Sequence, residues 1–106
     1  MKKINQQYRQ GDVLLLPVDA IPTKAIQSKR LGPIILAEGE ATGHAHKINR
    51  SAKVKEFDVG TELYLEVEAP VELEHEEHGT VVIEPGCYQI RRQVEVWMDE
   101  ARQVAD

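Results

Sequence analysis

The sequence has a single cysteine, Cys87, so no internal disulfide can form and there is no paired-cysteine framework of the kind that staples small secreted domains. A reducing compartment is expected. Long apolar runs are missing too. The longest, Val13-Leu14-Leu15-Leu16-Pro17-Val18, falls far short of the ~20 residues that cross a bilayer as a helix. The basic start, Met1-Lys2-Lys3, is not followed by the apolar stretch of a secretory signal. The expectation is a cytoplasmic protein with no membrane partner. Positive charge is in deficit: 13 Lys and Arg stand against 18 Asp and Glu, a formal net charge of −5. Such a field repels phosphate backbones, so nucleic acid is not an expected partner. Internal repeats and low-complexity segments are absent as well.

What remains is an ordinary globular mix, 42% hydrophobic and 29% charged over 106 residues. That length can bury one core but not two, which predicts a single domain over residues 1–106. Gly11-Asp12 reads as a turn opening into a buried strand over 13–18, with Pro17 at a sheet edge or bulge because it has no N–H to give. Residues 19–32 have no period and read as a long connection, with a short helical turn over 23–29. A second strand over 33–38 runs into two glycines, Gly39 and Gly43, and a third begins at His44. A polar strand over 53–58 follows. Glu62 to Glu68 then alternates cleanly, with Leu63, Leu65 and Val67 on one face and Glu62, Glu66 and Glu68 on the other.

The same period returns in Val71-Glu72-Leu73-Glu74-His75, where His75 continues the apolar phase. Glu76-Glu77-His78-Gly79 reads as a loop, and strands over 80–83 and from Cys87 to about Val96 flank a turn at Glu84-Pro85-Gly86. Arg92 interrupts the apolar row of that last strand. Met98 to Val104 favours a short helix. The fold class expected is mostly β, a small antiparallel β-sandwich or barrel with a short C-terminal helix.

All four histidines fall in two short motifs, Gly43-His44-Ala45-His46 and His75-Glu76-Glu77-His78. Side chains alternate along a strand, so His44 and His46 share a face with Ile48, their α-carbons roughly 6 to 7 Å apart. One cation can accept both rings. His75 and His78, three apart, converge only if the chain bends between them. Neutral imidazole is the commonest nitrogen ligand of transition metals, and three histidines with one carboxylate or water fill a first shell. The expected site therefore takes His44, His46, His75 and His78 as metal ligands. Glu76 and Glu77 are the candidate catalytic carboxylates, and Glu40 lies near in sequence. The cofactor expected is a divalent transition metal, zinc first, with iron, manganese or nickel as the other candidates. The zincin signature does not apply, since it needs histidines four apart on a helix. Against the metal stands the plainer reading, in which each imidazole is simply hydrogen-bonded to backbone or to neighbouring glutamates.

Two further features carry less. Cys87 reads as a small packed residue rather than a soft ligand. Arg91 and Arg92 read as partners of nearby acids such as Glu84 and Glu95. The order Gly11-Asp12-Val13 to Pro17-Val18, then Gly39 to His46, then His75 to His78 and Pro85-Gly86-Cys87-Tyr88, resembles a family of small uncharacterised proteins encoded in bacterial and phage genomes. That resemblance spans most of the chain and implies no established activity. His44-Ala45-His46 also resembles the first motif of the cupins, double-stranded β-helix barrels. The glutamate usual there is replaced by Asn49, Arg50 and Ser51, and no histidine follows Gly86, so a cupin-like site would have to recruit His75 or His78.

Two functions compete. One is a metal-dependent hydrolase or oxygenase, with His44, His46 and His75 as ligands and Glu76 or Glu77 as general base. It would act on a small-molecule ligand. The other is a non-catalytic binding module, in which a metal or a bare histidine network fixes two loops; a patch around Trp97 and Val104 would then serve a homo-oligomer. Binding ranks ahead, because no nucleophile, phosphate loop or second catalytic motif accompanies the histidines.

Overall fold

The computed structural model describes residues 6–38 and 43–92. Ten strands lie among them: β1 (Tyr8–Gln10), β2 (Val13–Val18), β3 (Ile26–Gln27), β4 (Ile34–Glu38), β5 (Ala45–Ile48), β6 (Val54–Val59), β7 (Glu62–Val67), β8 (Val71–Glu74), β9 (Val81–Ile83) and β10 (Gly86–Arg92). They form two antiparallel sheets, one in the order β1-β2-β10-β7-β6-β3 and the other β4-β5-β8-β9. Both sheets are open, with β1 and β3 at the edges of the first and β4 and β9 at those of the second. The barrel alternative is thus corrected: the alternating pattern is met by two sheets, not by a closed cylinder. The expected C-terminal helix over 98–104, the strand beyond Arg92 and the Trp97 patch lie outside the described residues, as does Glu40. No helix of the described residues is long and apolar enough to cross a membrane.

One core joins the sheets. Val13, Leu15, Leu65, Val67 and Tyr88 come from the first sheet and Ile34, Ile48, Leu73 and Ile83 from the second, all buried in a single cluster. These are the alternate positions of each strand, as a pleated ribbon with one covered face requires. Two hairpins turn on glycine: Gln10 pairs with Val13 across Gly11-Asp12, and Val59 with Glu62 across Gly60-Thr61. Gly11 and Gly60 have φ of 61° and 60°, the left-handed conformation that the first position of a type II′ turn demands. Pro17 sits opposite Tyr88 of β10, whereas β1 reaches only as far as Leu15. The proline thus lies past the end of β1, where no ladder bond is asked of that flank.

The helical turn expected over 23–29 is not formed. Ala25 N–H donates to Pro22 O at 3.0 Å, and the chain then lays β3 against β6. Its anchor is Glu56, buried on β6, whose carboxylate takes Arg30 at 3.0 Å and Arg50 at 2.9 Å. With no apolar stripe to bury, a helix here has nothing to offset its cost, and the arginines instead neutralise a carboxylate that could not be buried alone. The turn before β10 is held by two tyrosines: Tyr88 OH donates to Glu84 O at 2.6 Å, and Tyr8 OH accepts from Glu84 N–H at 3.1 Å. Burial pushes the Tyr88 hydroxyl well above its ordinary pKa, which keeps it a donor.

Candidate metal centre

Strand register brings the two histidine motifs together. β5 and β8 pair antiparallel with Lys47 opposite Glu74 and Ile48 opposite Leu73. Continuing that register outward by single steps sets His46 against His75, Ala45 against Glu76 and His44 against Glu77. Side-chain contacts follow the same order. The rings of His46 and His75 have centroids 4.3 Å apart, Ala45 N–H donates to Glu76 Oε1 at 2.9 Å, and His44 Nδ1 lies 3.6 Å from Glu77 Oε2. Past β8 the chain bends over Glu76, Glu77 and His78. That bend returns His78 to the cluster, its ring centroid 4.5 Å from that of His75 and 5.7 Å from that of His46.

The β1–β2 hairpin of the other sheet closes the cluster from one side. Gln10, buried on β1, donates through Nε2 to Leu73 O and Gly79 O, both at 2.9 Å, and its Oε1 lies 2.8 Å from His46 Nδ1. Reversing the amide would aim its oxygen at two carbonyl oxygens, so its orientation is fixed. His46 therefore carries its proton on Nδ1 and leaves Nε2 as the nitrogen with a lone pair. That arrangement, a ligand imidazole held by a hydrogen bond at its other nitrogen, is how metal-binding histidines are commonly oriented. Gly11 is packed directly against the rings: a Cβ there would fall 2.7 Å from His78 Nε2 and 3.1 Å from His46 Cε1.

Three imidazole nitrogens, one each from His46, His75 and His78, lie within 4.8 Å of one another, and so do donor atoms of His44, His75 and Glu76. His75 belongs to both groups. Its Nδ1 accepts the backbone N–H groups of Glu77 at 3.0 Å and His78 at 3.2 Å, capping the bend. His46 is the buried member, and that burial, with the neighbouring charge of His75, lowers its pKa. The neutral form is thereby favoured, and that is the form that ligates.

Asp12 stands at the open side, its Oδ1 3.6 Å from His46 Nε2, while Oδ2 accepts from Arg92 Nε at 2.8 Å. Partial burial raises the Asp12 pKa, but the Arg92 hydrogen bond and charge outweigh it, and the net shift is downward. The Ala45 N–H holds the Glu76 carboxyl below its usual range in the same way.

Of the residues expected from sequence, His46, His75 and His78 form one group, and His44 stands beside it with Glu76 and Glu77. His78 joins the buried His46 even though it is itself exposed, and His44 is displaced towards the second group. Glu76 spends one oxygen on Ala45 N–H, while Glu77 stays open to solvent. Sequence reading missed Gln10, Gly11 and Asp12. Gly11-Asp12 was legible as a turn, but nothing local says that the turn lies against histidines more than 30 residues away. Among the described residues Arg92 pairs with Asp12 rather than Glu84, brought near because Arg92 faces Val13 across β10 and β2; Glu95 lies outside the described residues.

Residues 9–93 match the family model described as a domain of unknown function, DUF8820. The chain belongs to this family. The DUF8820 span contains both histidine motifs, the Gln10-Gly11-Asp12 turn and Arg92. No curated protein and no solved structure matches the chain.

Proposed function

We propose that the protein binds one divalent transition metal ion through His46, His75 and His78. The observation that carries this reading is the convergence of three imidazole nitrogens within 4.8 Å, contributed by strand β5 and by the bend after β8. Donors in a first shell with bonds of ~2.0–2.1 Å sit within about 3.5 Å of one another, so small side-chain rotations close the set. Zinc, iron, manganese and nickel all accept three imidazoles, and zinc ranks first for a neutral-nitrogen site at this size. The role is binding by the domain itself, and His44, Glu76 and Glu77 on the rim are the groups that would meet a small-molecule ligand or bound water. Hydrolysis with Glu77 as base is the enzyme version of the same site.

A metal-free role has one specific observation in its favour: His75 Nδ1 already caps the bend at Glu77 and His78. Metal analysis of the purified chain separates the two readings. Untagged protein dialysed against zinc should retain one ion per chain, His46→Ala should retain only traces, and His44→Ala should retain most of it. Trace metal in the parent would leave the histidine network as a structural device.

A further inference from the structure

Resting on that metal reading, we infer that Asp12 is the fourth protein ligand, so that the ion is held by three imidazoles and one carboxylate delivered from the opposite sheet. Gln10 Oε1 takes the Nδ1 proton of His46, which leaves the Nε2 lone pair on the side of Asp12 Oδ1, 3.6 Å away. Two acceptors at that distance do not attract each other; a cation between them attracts both. The spacing to His46 also fits, because two donors on a tetrahedral ion with bonds of ~2.0–2.2 Å lie about 3.3–3.6 Å apart. Asp12 stands outside the set of imidazole nitrogens that lie within 4.8 Å of one another, so the hairpin side chain closes towards His75 and His78 as the ion binds.

Three further features prepare Asp12 for this task. Gly11 lets the turn pass so close to His46 and His78 that no Cβ fits between them. The II′ hairpin fixes where the residue after Gly11 projects. Arg92 binds Oδ2 at 2.8 Å and leaves Oδ1 facing the imidazole, a carboxylate with one oxygen anchored and the other presented, as outer-shell partners of metal ligands arrange. A hard oxygen beside three nitrogens suits zinc, iron or manganese and disfavours soft monovalent copper.

Cobalt(II) titration of the metal-free full-length chain tests this, since the ion reports its donor set through its visible d–d bands. Asp12→Asn preserves shape and an oxygen for Arg92, and should weaken cobalt binding by at least about tenfold, the lower end of what loss of an outer-shell partner costs, and alter the bands, which an outer-shell role would leave in place. Asp12→Glu should recover part of the affinity. Uptake by the parent with unchanged affinity and bands in Asp12→Asn would overturn the ligand while leaving the three-histidine site intact. No uptake by the parent would overturn both. A readout free of any variant is the Asp12 carboxyl carbon resonance on zinc addition: a shift saturating at one equivalent supports ligation, and an unmoved resonance contradicts it.

Discussion

Gln10 Oε1 and His46 Nδ1 are joined by a buried 2.8 Å hydrogen bond that links the first sheet to the second at the edge of the histidine cluster. The same amide satisfies Leu73 O and Gly79 O. Removing it in Gln10→Ala takes the partner from the buried His46 Nδ1 and a hydrogen bond from the buried Leu73 O, while the exposed Gly79 can turn to water, and a loss of about 1–3 kcal/mol is expected. Urea unfolding of the metal-free protein measures it. Gln10→Glu should behave differently, retaining the acceptor for His46 but facing two carbonyl oxygens with a carboxylate, and should also destabilise. A Gln10→Ala variant as stable as the parent would show that the amide is not the tie described.

Gly11 and Gly60 offer an internal control. Their φ angles are nearly equal, at 61° and 60°, but a Cβ on Gly60 meets nothing within 4 Å, whereas one on Gly11 meets both His78 and His46. Gly60→Ala should therefore cost only the backbone strain, about 1 kcal/mol. Gly11→Ala should cost that and, in addition, push the rings apart, lowering metal affinity while Gly60→Ala leaves it unchanged. Isothermal titration with zinc distinguishes them, and equal affinities in both variants would deny the close approach its role.

His75 cannot cap the bend and ligate a metal in one neutral tautomer. Coordination through Nδ1 displaces the N–H groups of Glu77 and His78, and coordination through Nε2 moves the ring proton to Nδ1, which then repels them. Zinc binding should accordingly change the amide signals of Glu77 and His78 and speed their hydrogen exchange, unless the bend finds new acceptors. Nuclear magnetic resonance of the apo and zinc-loaded chain follows both. If those two amides stay unmoved at full zinc occupancy, His75 is outside the first shell.

The pH dependence of stability has a definite sign. His46 has its pKa lowered from 6.5 by burial and by the adjacent His75 and His78, against the opposing pull of Asp12. Below the ordinary value the unfolded chain takes up a proton that the folded state resists, so unfolding is favoured as pH falls. The metal-free protein should keep its full His46 contribution above about pH 6.5 and lose it on acidification through the lowered folded value. His46→Gln should flatten that part of the profile, as measured by thermal unfolding between pH 7 and pH 5. An identical slope in the variant would assign the dependence to other groups.

Much of the architecture was legible. Glu62 to Val67 alternates so strictly that β7 could be read directly, and the apolar phase of Val71, Leu73 and His75 did aim His75 at the cluster. The even spacing of His44 and His46 was read as one shared strand face, but β5 begins at Ala45, and His44, just before it, falls in the second donor group with His75 and Glu76. What sequence could not supply was pairing across distance: β5 lies against β8 and β1–β2 folds over them, and such non-local contacts leave no local period. Gln10 illustrates the gap, a polar residue in a polar stretch whose burial follows only from the meeting of two sheets. The connection over 19–32 misled for a related reason, since β3 is ordered from outside by Glu56 and Arg30 rather than by its own pattern.

Anomalous scattering from zinc-soaked crystals, recorded on both sides of the zinc absorption edge, tests the central claim most directly. The account predicts one strong peak per chain, within about 2.3 Å of nitrogens of His46, His75 and His78. Well-ordered histidines with no peak among them, or a peak held only by His44 and surface glutamates, would contradict it.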